Sequence, residues 1–252
     1  MPSPPDRPAR LLDQVVWCCR RRHYSPRTAA SYSYWVRRYV RFHRHRHPSS
    51  LGKSDVLAFL DSLVASHVAG STHSQALNAL VFLYREVLEQ PFGWLDELER
   101  PKRPRRLPVV LSPEDVARVL AAMHDTPALM ARLIYGSGLR IHECLTLRIK
   151  DLAWARRCIV VRAGKGGKDR LALLPLQLVR PLRDHVRQLA VRHSERVSQG
   201  GGYVPLPEAL ARKYPEMGRS WPWQFLFPSD VERWNTEARR WERWHASPTH
   251  LQ

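Results

Sequence analysis

The chain has 252 residues, 44% of them hydrophobic and 25% charged, a globular balance with room for two domains. Its 41 basic residues against 23 acidic ones leave a net charge of +18, and only six of the cations are lysines, so a field of arginine forks draws polyanions, nucleic acid first. No run approaches the roughly 18 apolar residues of a membrane span. The Pro-rich start lacks a signal peptide's apolar core. Cysteines at 18, 19, 144 and 158 match neither zinc nor disulfide spacing, so a reducing cytoplasm is expected.

Residues 1–10 read as a disordered start and residues 11–98 as an all-α domain. Leu11, Leu12, Val15 and Val16 recur at helical spacing. So do Tyr32, Trp35, Val36, Tyr39 and Val40, then Val56, Phe59, Leu60 and Leu63, then Ala76 to Leu88. Ser25-Pro26, Ser54-Asp55 and Ser71-Thr72 are the start signals. His43, His45 and His47 lack a carboxylate or Cys co-ligand nearby and read as a solvated basic face, so no metal is expected. Residues 99–108 hold three prolines and five cations, an extended linker suited to a DNA backbone through Lys102, Arg103, Arg105 and Arg106.

The second domain, 109–252, opens with Ser112-Pro113-Glu114-Asp115, a capped helix start. Helices are expected to Met123 and over Pro127–Tyr135, then strands at Leu147–Leu152, Cys158–Arg162 and Arg170–Leu174. A turn over Gly164–Asp169 joins the last two. Helix returns after Pro175 to about Arg196, and residues 200–230 read as irregular.

Two pieces of this domain carry chemistry. The turn Gly138-Leu139-Arg140 can fix an arginine whose fork meets two non-bridging phosphate oxygens, where charge builds as phosphorus becomes five-coordinate. Glu143, one helical turn on, can buttress that guanidinium, although such pairs are commonly surface ion pairs. Lys165, on a glycine-flanked tip, can reach a groove and protonate a departing 5′-oxygen. The Gly164-Lys165-Gly166-Gly167-Lys168 turn is not a Walker A loop, since Asp169 follows Lys168.

Leu139-Arg140-x-x-Glu143 with Gly164-Lys165-Gly166-x-Lys168-Asp169-Arg170 resembles the first catalytic box and β-hairpin lysine of the tyrosine recombinases. His23-Tyr24-Ser25-x-Arg27-Thr28, Ser71-Thr72-x-x-Gln75-Ala76-Leu77, Leu83-Tyr84-Arg85-Glu86-Val87-Leu88 and Arg103-Pro104-Arg105-Arg106-Leu107-Pro108 resemble the integron integrases. So does Leu206-Pro207-Glu208-Ala209-Leu210-x-Arg212-Lys213-Tyr214-Pro215 with Ser220-Trp221-Pro222-Trp223. The resemblance implies a mainly α fold with a small antiparallel sheet: an all-α SAM-like core-binding domain, then a partial mixed α/β catalytic domain. The implied setting is the bacterial nucleoid.

The implied activity is site-specific recombination of gene cassettes through a 3′-phosphotyrosyl intermediate, with no cofactor or metal. Arg140 would stabilise the transition state and Lys165 would be the general acid. Lys168 and Arg170 would contact the backbone, as would Arg27, Thr28, Thr72, Gln75 and Asn78 in the first domain. Implied partners are a double-stranded attachment site, a folded single-stranded cassette site and further copies of the chain on DNA. An extruded base would stack on Trp221, Trp223, Trp244 or His245. The alternative is packing, with Trp234, Trp241 and Trp244 on one buried helix face. The family's His-x-x-Arg box and nucleophilic Tyr are expected beyond Gln252, so these residues alone are expected to bind recombination sites without cleaving them.

Overall fold

The computed structural model describes residues 8–90, 93, 109–162, 164 and 168–251, in two compact units, 1–108 and 109–252. Most of the predicted disordered start, all of the basic linker cations and Lys165 itself lie outside the described residues. The fold is mainly helical with small antiparallel sheets.

The described part of the first unit contains α1 (Leu11–Arg21), α2 (Pro26–Phe42), α3 (Lys53–Ala65) and α4 (Gly70–Phe82), the last widening into a π turn over Leu83–Val87. The caps follow the chemistry of the sequence. Ser25 Oγ accepts the Thr28 N–H at 3.1 Å, and Asp55 Oδ2 accepts the Gly52 N–H at 2.8 Å. Helix α4 begins at Gly70, before the expected Ser71-Thr72 signal, with no side-chain cap, and Ser74 Oγ donates back to the Gly70 carbonyl at 2.8 Å. The apolar stripes meet in one core that includes Val15, Trp35, Val36, Phe59, Leu63, Leu80 and Leu83.

His43 departs from the expected solvated face. Its imidazole is packed against Tyr39 and Phe42, and Nε2 bonds the Asp55 carbonyl at 3.0 Å. Buried beside it, the Tyr39 and Tyr84 hydroxyls are 2.8 Å apart, and Tyr84 donates to the Pro48 carbonyl at 3.1 Å. Tyr84→Phe strips both groups of a partner. The expected loss is about 2 kcal/mol in the first unit, seen as reduced hydrogen-exchange protection of α2 and α4 amides.

The second unit opens with α5 (Pro113–Ala122), α6 (Asp125–Ser137) and α7 (Ile141–Leu145). A three-stranded antiparallel sheet follows in the order β1 (Leu152–Ala153), β2 (Cys158–Val161), β3 (Arg170–Leu173). Ile159 faces Ala172 and Val161 faces Arg170, so the β2–β3 register brings the hairpin base to Arg170. Helix α8 (Leu176–Ser198) covers a core of Met130, Leu133, Leu145, Ile159, Leu182, Leu226 and Phe227. Then come α9 (Glu208–Lys213) and a hairpin of β4 (Pro228–Asn235) and β5 (Arg240–His245).

Three sequence expectations are corrected here. Leu147–Leu152 is not one strand: Arg148 makes a single bridge to Phe225, then Ile149–Asp151 turns as 3₁₀ helix because Asp151 Oδ2 caps the Arg148 N–H at 2.9 Å. The stretch 200–230 contains α9 and two 3₁₀ turns. Trp234, Trp241 and Trp244 lie on the β4–β5 hairpin, 50%, 57% and 41% exposed, and share no buried helix face. Asn235 makes the turn, its Oδ1 accepting the N–H groups of Glu237 and Ala238.

Candidate active site and nucleic-acid interface

Helix α6 ends where Gly138 enters the left-handed region at φ 61°, and the Leu139 N–H closes onto the Ile134 carbonyl at 3.2 Å. Leu139 is buried, so the next residue, Arg140, is delivered to the surface at the start of α7. Glu143 then holds it twice. One carboxylate oxygen accepts the Arg140 backbone N–H at 2.9 Å, and the other accepts Nη1 at 2.7 Å. The Arg140 side chain stays 58% exposed, and its remaining N–H groups make no other hydrogen bond among the described residues.

A second arginine shares the same carboxylate. Arg170, at the start of β3, donates Nη2 to Glu143 Oε2 at 2.7 Å and to the Gly138 carbonyl at 3.3 Å. The base of the hairpin closes on this cluster too. The Gly164 N–H meets the Lys168 carbonyl at 3.1 Å, and a Cβ on Gly164 would stand 3.4 Å from Glu143 Oε1. Burial pushes the Glu143 carboxyl up. The bonds from Arg140, main chain and side chain, and from Arg170 outweigh it and leave the group below its ordinary value. Glu143 is therefore an anion that fixes one guanidinium for solvent and ties it to the hairpin. Lys168 is exposed, and Arg170, read in the sequence as a backbone contact, is engaged with Glu143.

Beside this cluster, Arg148 fastens the segment before the second hairpin. Its guanidinium donates to the Trp223 carbonyl at 2.6 Å and the Pro205 carbonyl at 2.8 Å, and it lies 4.3 Å over the Phe225 ring. Burial pushes it down to about 10, so it remains a cation at neutral pH. Asp151, also buried, takes Arg162 Nε at 3.0 Å. Periodicity concealed Arg148, since an arginine on a short expected strand reads as solvent-facing.

The aromatic candidates divide. Trp223 is half-buried beneath Lys150, whose Nζ is 2.9 Å from the ring centroid, and Trp221 rests on His193 at 5.5 Å. His245 packs against Phe225 and meets His142 edge-on at 5.7 Å, with its Nδ1 2.8 Å from the Ala246 carbonyl. Burial first, then the His142, Arg148 and Arg233 charges, lowers its pKa despite that bond. Trp244 is the most open of the four.

In the first unit Arg27, Gln75 and Asn78 are exposed. Thr72 is half-buried, and the Thr28 hydroxyl is 2.9 Å from Ser25 Oγ within the α2 cap. Among the described residues there is no cluster of three metal-ligating side chains, and the four cysteines are free. No described helix is long and apolar enough to cross a membrane.

Comparison with known proteins agrees with this architecture. Residues 11–94 match the phage integrase N-terminal SAM-like domain, and residues 109–230 match the phage integrase family. An integrase/recombinase of Escherichia coli is 46% identical over 227 residues, covering 90% of this chain and 67% of the relative. One from Pseudomonas aeruginosa matches equally. The tyrosine recombinase XerA of Thermococcus kodakarensis is 36% identical over 169 residues, 64% of this chain and 56% of that protein. The solved Tn1549 transposon integrase, in complex with transposon right end DNA, shares the fold at TM-score 0.52 and 17% identity, over 87% of this chain and 71% of that one. The chain belongs to the tyrosine recombinase (phage integrase) family, whose function is site-specific DNA integration and recombination.

Proposed function

We propose that this chain recognises DNA recombination sites of the integron type, in paired and folded single-stranded form, and presents Arg140 to the scissile phosphate. The core-binding domain of residues 11–98 and the basic linker 99–108 grip the backbone, with Arg27, Thr28, Thr72, Gln75, Asn78, Lys102, Arg103, Arg105 and Arg106 as contacts. Residues 109–252 supply the catalytic side.

The observation that supports this reading is the three-way junction at Glu143. The carboxylate sets the Arg140 fork before DNA arrives, so little reorganisation is left for the moment charge develops on phosphorus. Lys165, the residue after Gly164, is the proposed proton donor to the departing 5′-oxygen, and Lys168 adds backbone charge. Arg170 acts through Glu143 as a positioning residue. Trp244, with its exposed ring, is the best of the original stacking candidates, while Trp221, Trp223 and His245 serve first as packing.

A second reading is site occupancy without cleavage; the Tyr203 hydroxyl is engaged with Glu216 at 3.0 Å. Two assays test the proposal on residues 1–252. In competition gels a cassette-site hairpin is expected to displace bound probe at least tenfold better than random DNA, and equal competition would contradict integron-type recognition. With a nicked suicide substrate no covalent protein–DNA band is expected; such a band would overturn the occupancy reading.

A further inference from the structure

Between Asp151 and Glu195 the chain carries ten arginines and lysines against two acids, Asp169 and Asp184. Five of those cations gather on one outer face of the second unit. Arg180, Arg183 and Arg187 recur at spacings of three and four along α8 and so form a stripe. The buried residues of that helix, Leu178, Leu182 and Leu189, lie on its opposite side. The turn before β2 adds Arg156 and Arg157. Arg183 joins the two pieces, its guanidinium 5.5 Å over the ring of Trp154, the residue that opens the turn. Arg157 is left-handed at φ 48°, and its carbonyl accepts the Leu174 N–H at 3.0 Å, which ties the turn to the start of α8.

All five arginines are exposed. The acid within the stripe, Asp184, is taken by Arg187 at 2.7 Å, and Arg156, Arg157, Arg180 and Arg183 make no ion pair among the described residues. Like charges gathered on one face repel, and a polyanion relieves them. Leu176 and Val191 are open at the two ends of the stripe, but no large apolar side chain is exposed between Arg180 and Arg187. The face therefore lacks the apolar centre on which a protein partner docks. Its spacing suits a duplex: from Arg180 to Arg187 the helix rises roughly 10 Å, over which DNA presents about six phosphates.

This is not the face that Arg140 serves. In the β2–β3 ladder the Val161–Arg170 pair stands at the Glu143 end, and the Cys158–Leu173 pair, which leads to Arg157, stands at the other. The stripe also points away from the core that receives Leu145 of α7, so that core lies between the stripe and the helix Arg140 begins. We propose that the α8 face holds the backbone of a second DNA segment, besides the duplex presented to Arg140, so that one chain bridges two. Arginine forks on phosphates read no sequence, so the proposal requires no integron-type site.

The test uses residues 1–252 and two short duplexes of arbitrary sequence, one immobilised and one fluorescent. The immobilised duplex is loaded with protein and washed, and capture of the fluorescent duplex is followed against salt. Affinity for a single duplex is measured separately at limiting DNA. Arg156→Gln/Arg180→Gln/Arg183→Gln is expected to reduce capture about tenfold and to keep single-duplex affinity within about twofold. The log–log salt dependence of capture should become shallower by about 2.7, for three phosphate contacts at about 0.9 each. Lysine at the same three positions should recover most of the capture, because an ammonium still answers a phosphate as a point charge. Arg212→Gln/Lys213→Gln/Arg239→Gln removes equal charge elsewhere on the second unit and should change capture by less than about twofold. Undiminished capture by the first variant, or an equal loss in this last one, would overturn the proposal. So would a parallel loss of single-duplex affinity, which would make the face part of one continuous DNA surface. Failure to prefer cassette sites over random DNA would contradict the integron reading and leave this one standing.

Discussion

Arg148→Ala is expected to lower the stability of the second unit by about 3 kcal/mol. The guanidinium is the partner of two main-chain carbonyls, Trp223 and Pro205, that belong to a segment more than fifty residues away in sequence. Hydrogen bonds to a charged donor contribute roughly 1.5–3 kcal/mol each, and truncation leaves both carbonyls short of a partner where water reaches them poorly. The ring contacts with Trp223 and Phe225 go as well. Lysine cannot replace the fork, so Arg148→Lys should recover less than half of the loss. Chemical unfolding followed by tryptophan fluorescence reads the effect. A change within about 0.5 kcal/mol would show that the segment from Pro205 to Phe225 is held by other means.

The second large effect is at Glu143. Glu143→Gln is expected to cost about 2 kcal/mol, since the carboxylate accepts from the Arg140 main chain, Arg140 Nη1 and Arg170 Nη2, and an amide offers a single oxygen for those donors. The sign of its pH dependence follows from the depressed folded pKa. The stabilisation is full above the unfolded carboxyl value of about 4.5 and fades as pH falls below it, through the lower folded value. In the variant that part of the acid limb should be flat. Arg170→Gln should reproduce only part of the loss, because Arg140 keeps both of its bonds to Glu143. A variant as acid-sensitive as the parent would mean that the ion pairs are not coupled to folding.

How much of this was legible in the sequence depended on the range of the interaction. Helices α1 to α4 were legible because each buries a 3.6-residue stripe, and α2 and α3 also start at a side chain that bonds the first turn, Ser25 and Asp55. The Arg140–Glu143 pair was legible because i to i+3 is a local geometry. Arg170 on Glu143 was not: 27 residues separate them, and only the β2–β3 register brings them together. Arg148 was missed for the same reason. The β4–β5 hairpin was obscured because its turn uses Asn235 and a left-handed Arg239 in place of glycine, and because tryptophans at spacings of seven and three imitate a helix stripe. His43 misled in the opposite direction, a residue expected in solvent that the α2–α3 packing encloses.

The central claim is that Glu143 presets Arg140 for one phosphate of a recombination site, and a methylphosphonate scan of that site tests it most directly. Neutralising phosphates one at a time, and measuring affinity for the parent chain and for Arg140→Ala, closes a double-mutant cycle at each position. One phosphate is expected at which the parent loses about tenfold in affinity while Arg140→Ala, already weakened, loses little more; this is the scale of one charge-assisted contact. Losses that simply add at every phosphate would contradict the claim and place Arg140 away from the DNA backbone.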